Sequence, residues 1–500
     1  MNFDQKALIS MRESKKIARD VGWVFTSSII SMIFTFLVSV IIGRWLGPTS
    51  LGLYQLTMSI FFLIMVFAGI GVPAATTKFI AEYKITEEGN QIATASFLLS
   101  FTVGILVAVV VFLLSKPIAS FLDIPSLIPF LQIIALAFPL RLANLIQQAY
   151  LNGLRLMKWL AASLILESSL MFIFTFIMVW RGFGALGAVL GFIAALAVNC
   201  FFLAFVVKFW HFFTLKSLRK ACGQLLSFGV QIAATGVINE INYQTSTLAL
   251  GYFTSEEEVG FYSVTVTLSR FFTNISNAIQ RVTYPATSEF WKEQKYRELS
   301  LLLQRTVRYT ASLFFFTGIC VIIFAKEIVV GIYGKNFEPS VLAFQLIIVG
   351  VIFSSALSRP LAGTITAIGR PDIGVKVAPI AAFVNIALAL LFIPTMGING
   401  AAIAALMSFS FRGFLGLFLN FYYTKTKIEY FWLFKSISIS ALALFAYYIA
   451  RIWLTNIIAG IFVIIVYLII VLFVFLTQND RKFFLGLLKE GWQRIWHNNV

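Results

Sequence analysis

The chain has 500 residues with a formal net charge of +17; it is 60% hydrophobic, only 12% charged, and holds 53 Phe. Its mean hydropathy is +0.91. A soluble surface needs roughly a quarter of charged residues, so the composition excludes a water-soluble fold and puts most of the surface against lipid.

The N-terminal segment 1–19 is basic (Lys6, Arg12, Lys15, Lys16, Arg19) and leads into an apolar run too long for a signal peptide. That run reads as a retained first span. At about 20 residues per crossing, spans 1 to 6 are expected near 20–42, 51–77, 91–115, 127–151, 158–180 and 184–208. A linker at 209–223 separates them from spans 7 to 12, near 224–252, 259–288, 300–325, 339–367, 372–394 and 398–423. Spans 13 and 14 are expected near 431–453 and 456–477, within a segment 424–477, and a tail follows at 478–500.

Under this count Lys and Arg gather on one side: the N-terminus, Lys78/Lys84, Arg155/Lys158, Lys208/Lys216/Arg219/Lys220, Lys292/Lys295/Arg297, Arg370, Lys425/Lys427 and the tail. The other side has fewer bases and the acidic run Glu256–Glu257–Glu258. The positive-inside bias puts both termini in the cytoplasm of a multi-pass cell-membrane protein. It also explains the net charge without nucleic acid, for which no basic soluble segment is long enough. Cys200, Cys222 and Cys320 are scattered and carry no metal-ligand spacing, so they read as packing residues.

The two sets of six spans repeat. Gly43 and Gly52 match Gly251 and Gly260 at an offset of 208. Pro73–Ala74 match Pro285–Ala286 at 212, and Gly184/Gly187 match Gly397/Gly400 at 213. Six is even, so the second set enters the membrane in the same direction as the first. The expected fold is therefore an all-α polytopic membrane protein of fourteen transmembrane helices. Two six-helix lobes, 20–208 and 224–423, stand in parallel repeat around a central cavity, with two helices appended.

Span 8 departs from its surroundings. Ser263, Thr267, Arg270, Asn274, Asn277 and Arg281 share one helical face, while Phe261, Val264, Leu268, Phe272, Ile275, Ile279 and Val282 cover the other. A charge inside a span costs about 2.5–3.5 kcal/mol on insertion scales, so each needs a partner or wet surroundings. In span 4, Arg141, Asn144, Gln148, Asn152 and Arg155 fall on one face; in span 10, Ser355, Arg359, Thr366 and Arg370 do the same. Arg141 and Arg359 are 218 apart, each beside a proline (Pro139, Pro360) that can free a carbonyl and bend the helix.

Glu240, with Gln244 and Thr247 on its face in span 7, and Glu167 in span 5 are the main intramembrane acids, and Lys376 and Arg412 lie in spans 11 and 12. Two readings stand for each arginine: a structural pair or interfacial anchor, and the lining of a wet cavity. Glu240 is open between a structural partner and a proton or sodium site. Collectively the arginines exceed the acids, and such a cavity suits an anion, because guanidinium matches phosphate in bidentate geometry.

The opening pattern Gly43-Arg-Trp-Leu-Gly-Pro-Thr-Ser-Leu-Gly-Leu-Tyr54 and the segment Arg281-Val-Thr-Tyr-Pro-Ala-Thr-Ser-Glu289, with the spans and the repeat, resemble the polysaccharide transport (Wzx-type) flippases. These belong to the MOP superfamily, with the MurJ-type lipid II flippases and MATE exporters. The resemblance implies translocation of a polyprenyl-pyrophosphate-linked oligosaccharide, its head group crossing in the cavity and its tail staying in the bilayer. It also implies polysaccharide-assembly proteins as partners. Arg270 resembles the arginine that such flippases place on this helix. Span 1 departs from the group in carrying no mid-span charge after Arg19 and Asp20.

The expected substrate-binding residues are thus Arg270, Arg281, Asn274, Asn277, Arg141, Gln148 and Arg359, with Glu240 and Glu167 for coupling to Na+ or H+ and no other cofactor. A MATE-type drug exporter would want an acidic cavity, against the arginine excess. A membrane enzyme of polysaccharide assembly would want an extramembrane catalytic segment. The chain has neither that nor a Walker motif, and its two histidines are His211 and His497.

Overall fold

The computed structural model describes residues 3–208, 213–426 and 430–471; His211, His497 and the tail expected at 478–500 lie outside them. Among the described residues every regular element is helical. This follows from the composition, because in lipid a backbone must satisfy its own hydrogen bonds and an α-helix does so within one segment.

α1 (Phe3–Gly69) covers spans 1 and 2 and is broken at Gly47, whose φ of 84° lies in a region that glycine enters without strain. α2 (Val72–Tyr83) follows a second turn at Ile70–Gly71 with φ of 40° and 68°. α3 (Glu87–Phe121) starts at Thr86, whose hydroxyl accepts from Gly89 N, with Glu87 and Glu88 in its first turn. Span 4 is a bent pair, α4 (Leu127–Ile134) and α5 (Ala137–Gly153), meeting at 42°. α6 (Met157–Trp180) and α7 (Gly184–Val207) complete the first set.

The second set begins with α8 (Leu218–Phe253), α9 (Glu256–Lys292) and α10 (Tyr296–Ile323). α11 (Ala325–Tyr333) is a short helix that span counting does not anticipate. Span 10 is irregular: α12 (Ser340–Phe353) gives way to a π turn at Ser354–Ser358, a 3-10 turn at Arg359–Leu361 and α13 (Thr364–Ala367). α14 (Pro371–Thr424) covers spans 11 and 12 and breaks at Gly397, φ 53°. α15 (Tyr430–Trp453) and α16 (Asn456–Ile470) end the described chain.

Eight of the described helices are long and apolar enough to cross a membrane, or ten when two bent pairs each count as one. The stretch Arg19–Gly69 has 51 residues, about 76 Å of helix against a hydrocarbon core of about 30 Å. Outward-facing Phe201, Phe205, Phe383 and Trp453 are all more than two-thirds exposed, as lipid-facing side chains should be.

By its contacts the chain forms two compact units. The first is Met1–Val264 with Ile332–Asn336 and Ala389–Ala401; the second is Thr265–Gly331, Phe337–Leu388 and Ala402–Val500. Aromatic packing centres the first unit on Phe61, whose ring lies 4.7 Å from Phe138 and 5.6 Å from Phe192. α8 packs here against α1, α2 and α3. In the second unit α10, α15 and α16 pack around Tyr467, whose hydroxyl is 2.7 Å from Ser440 Oγ.

The repeated glycines meet each other inside the first unit. A Cβ on Gly52 would lie 3.0 Å from Gly260 N and collide with the Glu256 carbonyl; a Cβ on Gly260 would lie 2.0 Å from Pro48 O and 3.2 Å from Gly52 N. Close helix approach through small residues is what membrane packing selects, so this pair of positions, 208 apart, is one contact seen from both sides. The third repeat match has a backbone cause too: Gly184 and Gly397 both have positive φ, 58° and 53°.

Candidate functional site

The sequence-predicted residues fall into three clusters. In the first unit Arg141 on α5 and Glu167 on α6 form an ion pair at 2.5 Å, both more than three-quarters buried. Glu167 also accepts from Asn199 Nδ2 on α7 at 3.0 Å and from Gln148 Nε2 at 3.4 Å. Three helices thus converge on one carboxylate. Of the two readings open for each arginine, Arg141 takes that of a structural pair. Asn144 is turned inward and donates to Leu196 O. Arg155 pairs with Asp20 at 3.2 Å.

Glu240, on α8 in the same unit, accepts from Gln244 Nε2 one turn on at 2.7 Å. Among the described residues it has no basic partner.

The second cluster is α9. Arg270 and Asn277 are half-buried, and Asn274 and Arg281 are exposed; their spacing keeps the four on one face. Of the expected apolar face, Phe261, Val264, Leu268 and Phe272 are buried, and the pattern gives way only beyond them. Ile275 and Val282 are exposed at 48% and 75%, while Thr265, Ser269, Ser276, Thr283 and Thr287 are buried beside Phe272. In lipid an apolar side chain gains nothing by moving inward, whereas small hydroxyl residues allow close approach and can hydrogen-bond.

Those hydroxyls are put to use. Ser276 donates to Ser355 O and Thr283 to Pro360 O, both at 2.9 Å, and Ser288 donates to Ala367 O. From α10, Thr310 donates to Ala356 O at 2.8 Å. Around the π turn the backbone bonds reach five residues back, Arg359 N donating to Ser354 O, so the carbonyl in register with Pro360, which has no N–H, is Ser355 O. Pro360 therefore does free a carbonyl, and Ser276 takes it.

The third cluster follows from that irregular segment. Arg359 sits where the π turn meets the 3-10 turn, and its buried Nε has no hydrogen-bond partner among the described residues. Arg412 on α14 lies within Coulombic reach of it. The single face expected for Ser355, Arg359, Thr366 and Arg370 is not continuous, because the helix changes pitch at Ser354 and again at Arg359. Arg370 is exposed and makes a two-pronged contact with Asp372 at 3.0 and 3.1 Å.

Sequence reading missed Asn199 as the third arm on Glu167, and Arg308 in span 9. The signals were a lone Asn deep in an apolar span and an Arg eight residues into another.

A family profile described as polysaccharide biosynthesis protein matches residues 17–291, more than half of the chain. The chain belongs to that family. Among its relatives, stage V sporulation protein B of Bacillus subtilis is 23% identical over 417 residues, covering 76% of this chain and 79% of that protein. The probable low-salt glycan biosynthesis flippase Agl15 of Haloferax volcanii is 20% identical over 422 residues, covering 83% and 85%. In fold, this polysaccharide biosynthesis protein is similar to the lipid II flippase MurJ in an inward closed conformation. The TM-score is 0.73 at 16% identity, over 89% of this chain and 97% of that one. A multidrug resistance MATE transporter of the MOP superfamily, inward-facing, matches with a TM-score of 0.67 at 14% identity, covering 79% and 94%.

Proposed function

We propose that this protein is a flippase that moves a polyprenyl-pyrophosphate-linked oligosaccharide across the cytoplasmic membrane by alternating access. The supporting observation is the charge of the second unit. Its apolar stretches 265–288, 300–323, 340–369 and 373–424 hold Arg270, Arg281, Arg305, Arg308, Arg359, Lys376 and Arg412 without one Asp or Glu, while Arg370 between them is paired with Asp372. In the first unit, by contrast, Arg141 is neutralised by Glu167. Cations kept in a low-dielectric region without acids favour an anionic cargo, and arginine favours one with phosphate oxygens.

The relatives and folds named above support the same reading. In it, fourteen crossings arise because α1 and α14 each count twice, around Gly47 and Gly397, while α4–α5 and α12–α13 each count once. Both termini are cytoplasmic, and spans 1–6 and 7–12 form the two lobes. Arg270, Asn274, Asn277, Arg281 and Arg359 hold the pyrophosphate and its first sugar, whereas Arg141 and Gln148, in the first unit, are engaged with Glu167. Glu240 is the acid available to couple Na+ or H+, Glu167 being committed to Arg141.

Arg270→Ala should abolish glycan export in cells while the protein still folds and inserts, and Arg270→Lys should restore it only in part, because an ammonium cannot reproduce a bidentate contact. Normal export by Arg270→Ala would refute the assignment. A MATE-type exporter of cations would instead bind cationic dyes and be indifferent to pyrophosphate lipids.

A further inference from the structure

A groove of about 480 Å³ lies within the first unit, between α2 and the beginning of α8, lined by Phe79, Lys220, Gly223, Gln224, Ser227, Phe228 and Gln231. Its size is within the range of small-molecule sites. Lys220, Gln224, Ser227 and Gln231 recur at helical spacing along one face of α8, a polar row about 16 Å long. Among the described residues none of the four makes a hydrogen bond or an ion pair, so each has its full bonding capacity to offer. Beside the row stand two rings, Phe79 from α2 and Phe228 from α8 itself, which meet at 5.8 Å, edge to face. Lys78 holds its ammonium 4.1 Å above Phe228 and 4.8 Å from the Phe79 ring centre.

α2 and α8 touch at Gly71 and Gly229, where a Cβ on Gly229 would lie 2.5 Å from Ile70 O and one on Gly71 2.1 Å from Gly229 O. Gly223, inside the groove, has nothing within 4 Å of where a Cβ would sit.

We propose that this groove is a docking site for a sugar joined to phosphate, occupied before the cargo reaches the arginines of the second unit. This rests on the flippase reading and on the cytoplasmic placement of the Lys208–Lys220 linker. The chemistry is particular. An aromatic face takes the C–H side of a sugar ring; primary amides each offer a donor and an acceptor to its hydroxyls. An ammonium at the end of the row, with a second held over the aromatic wall, meets the phosphate as a point charge. A lone phosphate would leave the two glutamines and the rings unused, and an acyl chain would bury the whole polar row without partners.

The test uses the full-length protein in nanodiscs, titrated with a geranyl-pyrophosphoryl disaccharide, with UDP-glucose and with inorganic pyrophosphate. Lys220→Ala and the double variant Gln224→Ala/Gln231→Ala should each weaken the disaccharide probe about tenfold, the loss of roughly one strong hydrogen bond. The glutamine variant should leave pyrophosphate binding unchanged. Gly223→Trp, which fills the groove without removing any of these groups, should block the disaccharide probe as well. Tighter binding of the prenyl-linked probe than of UDP-glucose assigns the source to a membrane glycolipid; equal binding assigns it to a soluble sugar nucleotide. If the wild type binds the disaccharide probe and all three groove variants bind it alike, while Arg270→Ala does not, the groove assignment is wrong and the flippase reading stands. If the wild type binds none of the probes, both fall.

Discussion

Arg141 and Glu167 show what a single carboxylate decides at the scale of residues. Both are largely buried, so the pair has lost most of its hydration and depends on mutual attraction and on the amides of Asn199 and Gln148. Removing one partner of a buried pair leaves the other charge uncompensated, at about 3–5 kcal/mol; replacing both with apolar residues is often neutral. Glu167→Ala should therefore lower the unfolding free energy in detergent by about that amount, and the double change Arg141→Leu/Glu167→Leu should recover most of it. If the double variant were as unstable as the single one, the loss would lie in packing and not in stranded charge. Composition and periodicity disclose that Arg141 needs a partner. They cannot disclose which one, since Glu167 is reached only when α5, α6 and α7 converge.

Elements are held by glycines and hydroxyls more than by apolar burial. The Ser276–Ser355 bond and Pro360 form a testable unit, because the hydroxyl replaces an N–H that the proline lacks. Hydrogen bonds between membrane helices average about 0.6 kcal/mol and reach about 1.7. Ser276→Ala should cost an amount near the upper end, since it leaves a carbonyl that Pro360 cannot serve. In a Pro360→Ala background the same change should cost less, and equal costs in the two backgrounds would remove the link.

The Gly52–Gly260 contact leaves even less room. Gly52→Ala or Gly260→Ala should destabilise by about 1–3 kcal/mol through forced separation of backbones. Gly374→Ala, with nothing within 4 Å, should be neutral or slightly stabilising, as alanine prefers helix. Thermal midpoints of the three variants decide this, and a midpoint for Gly52→Ala at or above that of Gly374→Ala would discount the close contact. The helices containing these residues were legible because hydrophobic runs and glycine punctuation are local signals. The repeat at offset 208 was legible for the same reason, although its meaning as one shared contact required coordinates. The packing face of α9 was legible only in its first half, where Phe261, Val264, Leu268 and Phe272 are buried as patterned: amphipathic patterning assumes that water rewards burial, and with lipid outside, Val282 stays out while Thr283 goes in.

At the scale of the whole molecule the question is why evolution would keep arginines in excess of acids. The repeat allows the comparison to be made within one chain. Arg141 and Arg359 occupy related places, and the position 213 residues after Asn199 is Arg412. So in the first unit an arginine meets an acid and an amide, whereas in the second an arginine meets another arginine. The second arrangement is less stable by its own electrostatics, because like charges in a low dielectric repel and the Arg359 Nε is buried without a partner. A fold selected only for stability would have placed an acid there, as it did at Glu167. Arg359→Leu should accordingly leave the purified protein as stable as the wild type or more so, by about 1–3 kcal/mol from relieving one unsatisfied buried donor. The same variant should lower glycan export, since it removes a contact for the cargo's phosphates. Stability and export moving in opposite directions is the signature of a residue kept for function at a structural cost. Should Arg359→Leu melt early and export normally, the arginine is structural, and the cation excess of the second unit loses its strongest member as a binding group.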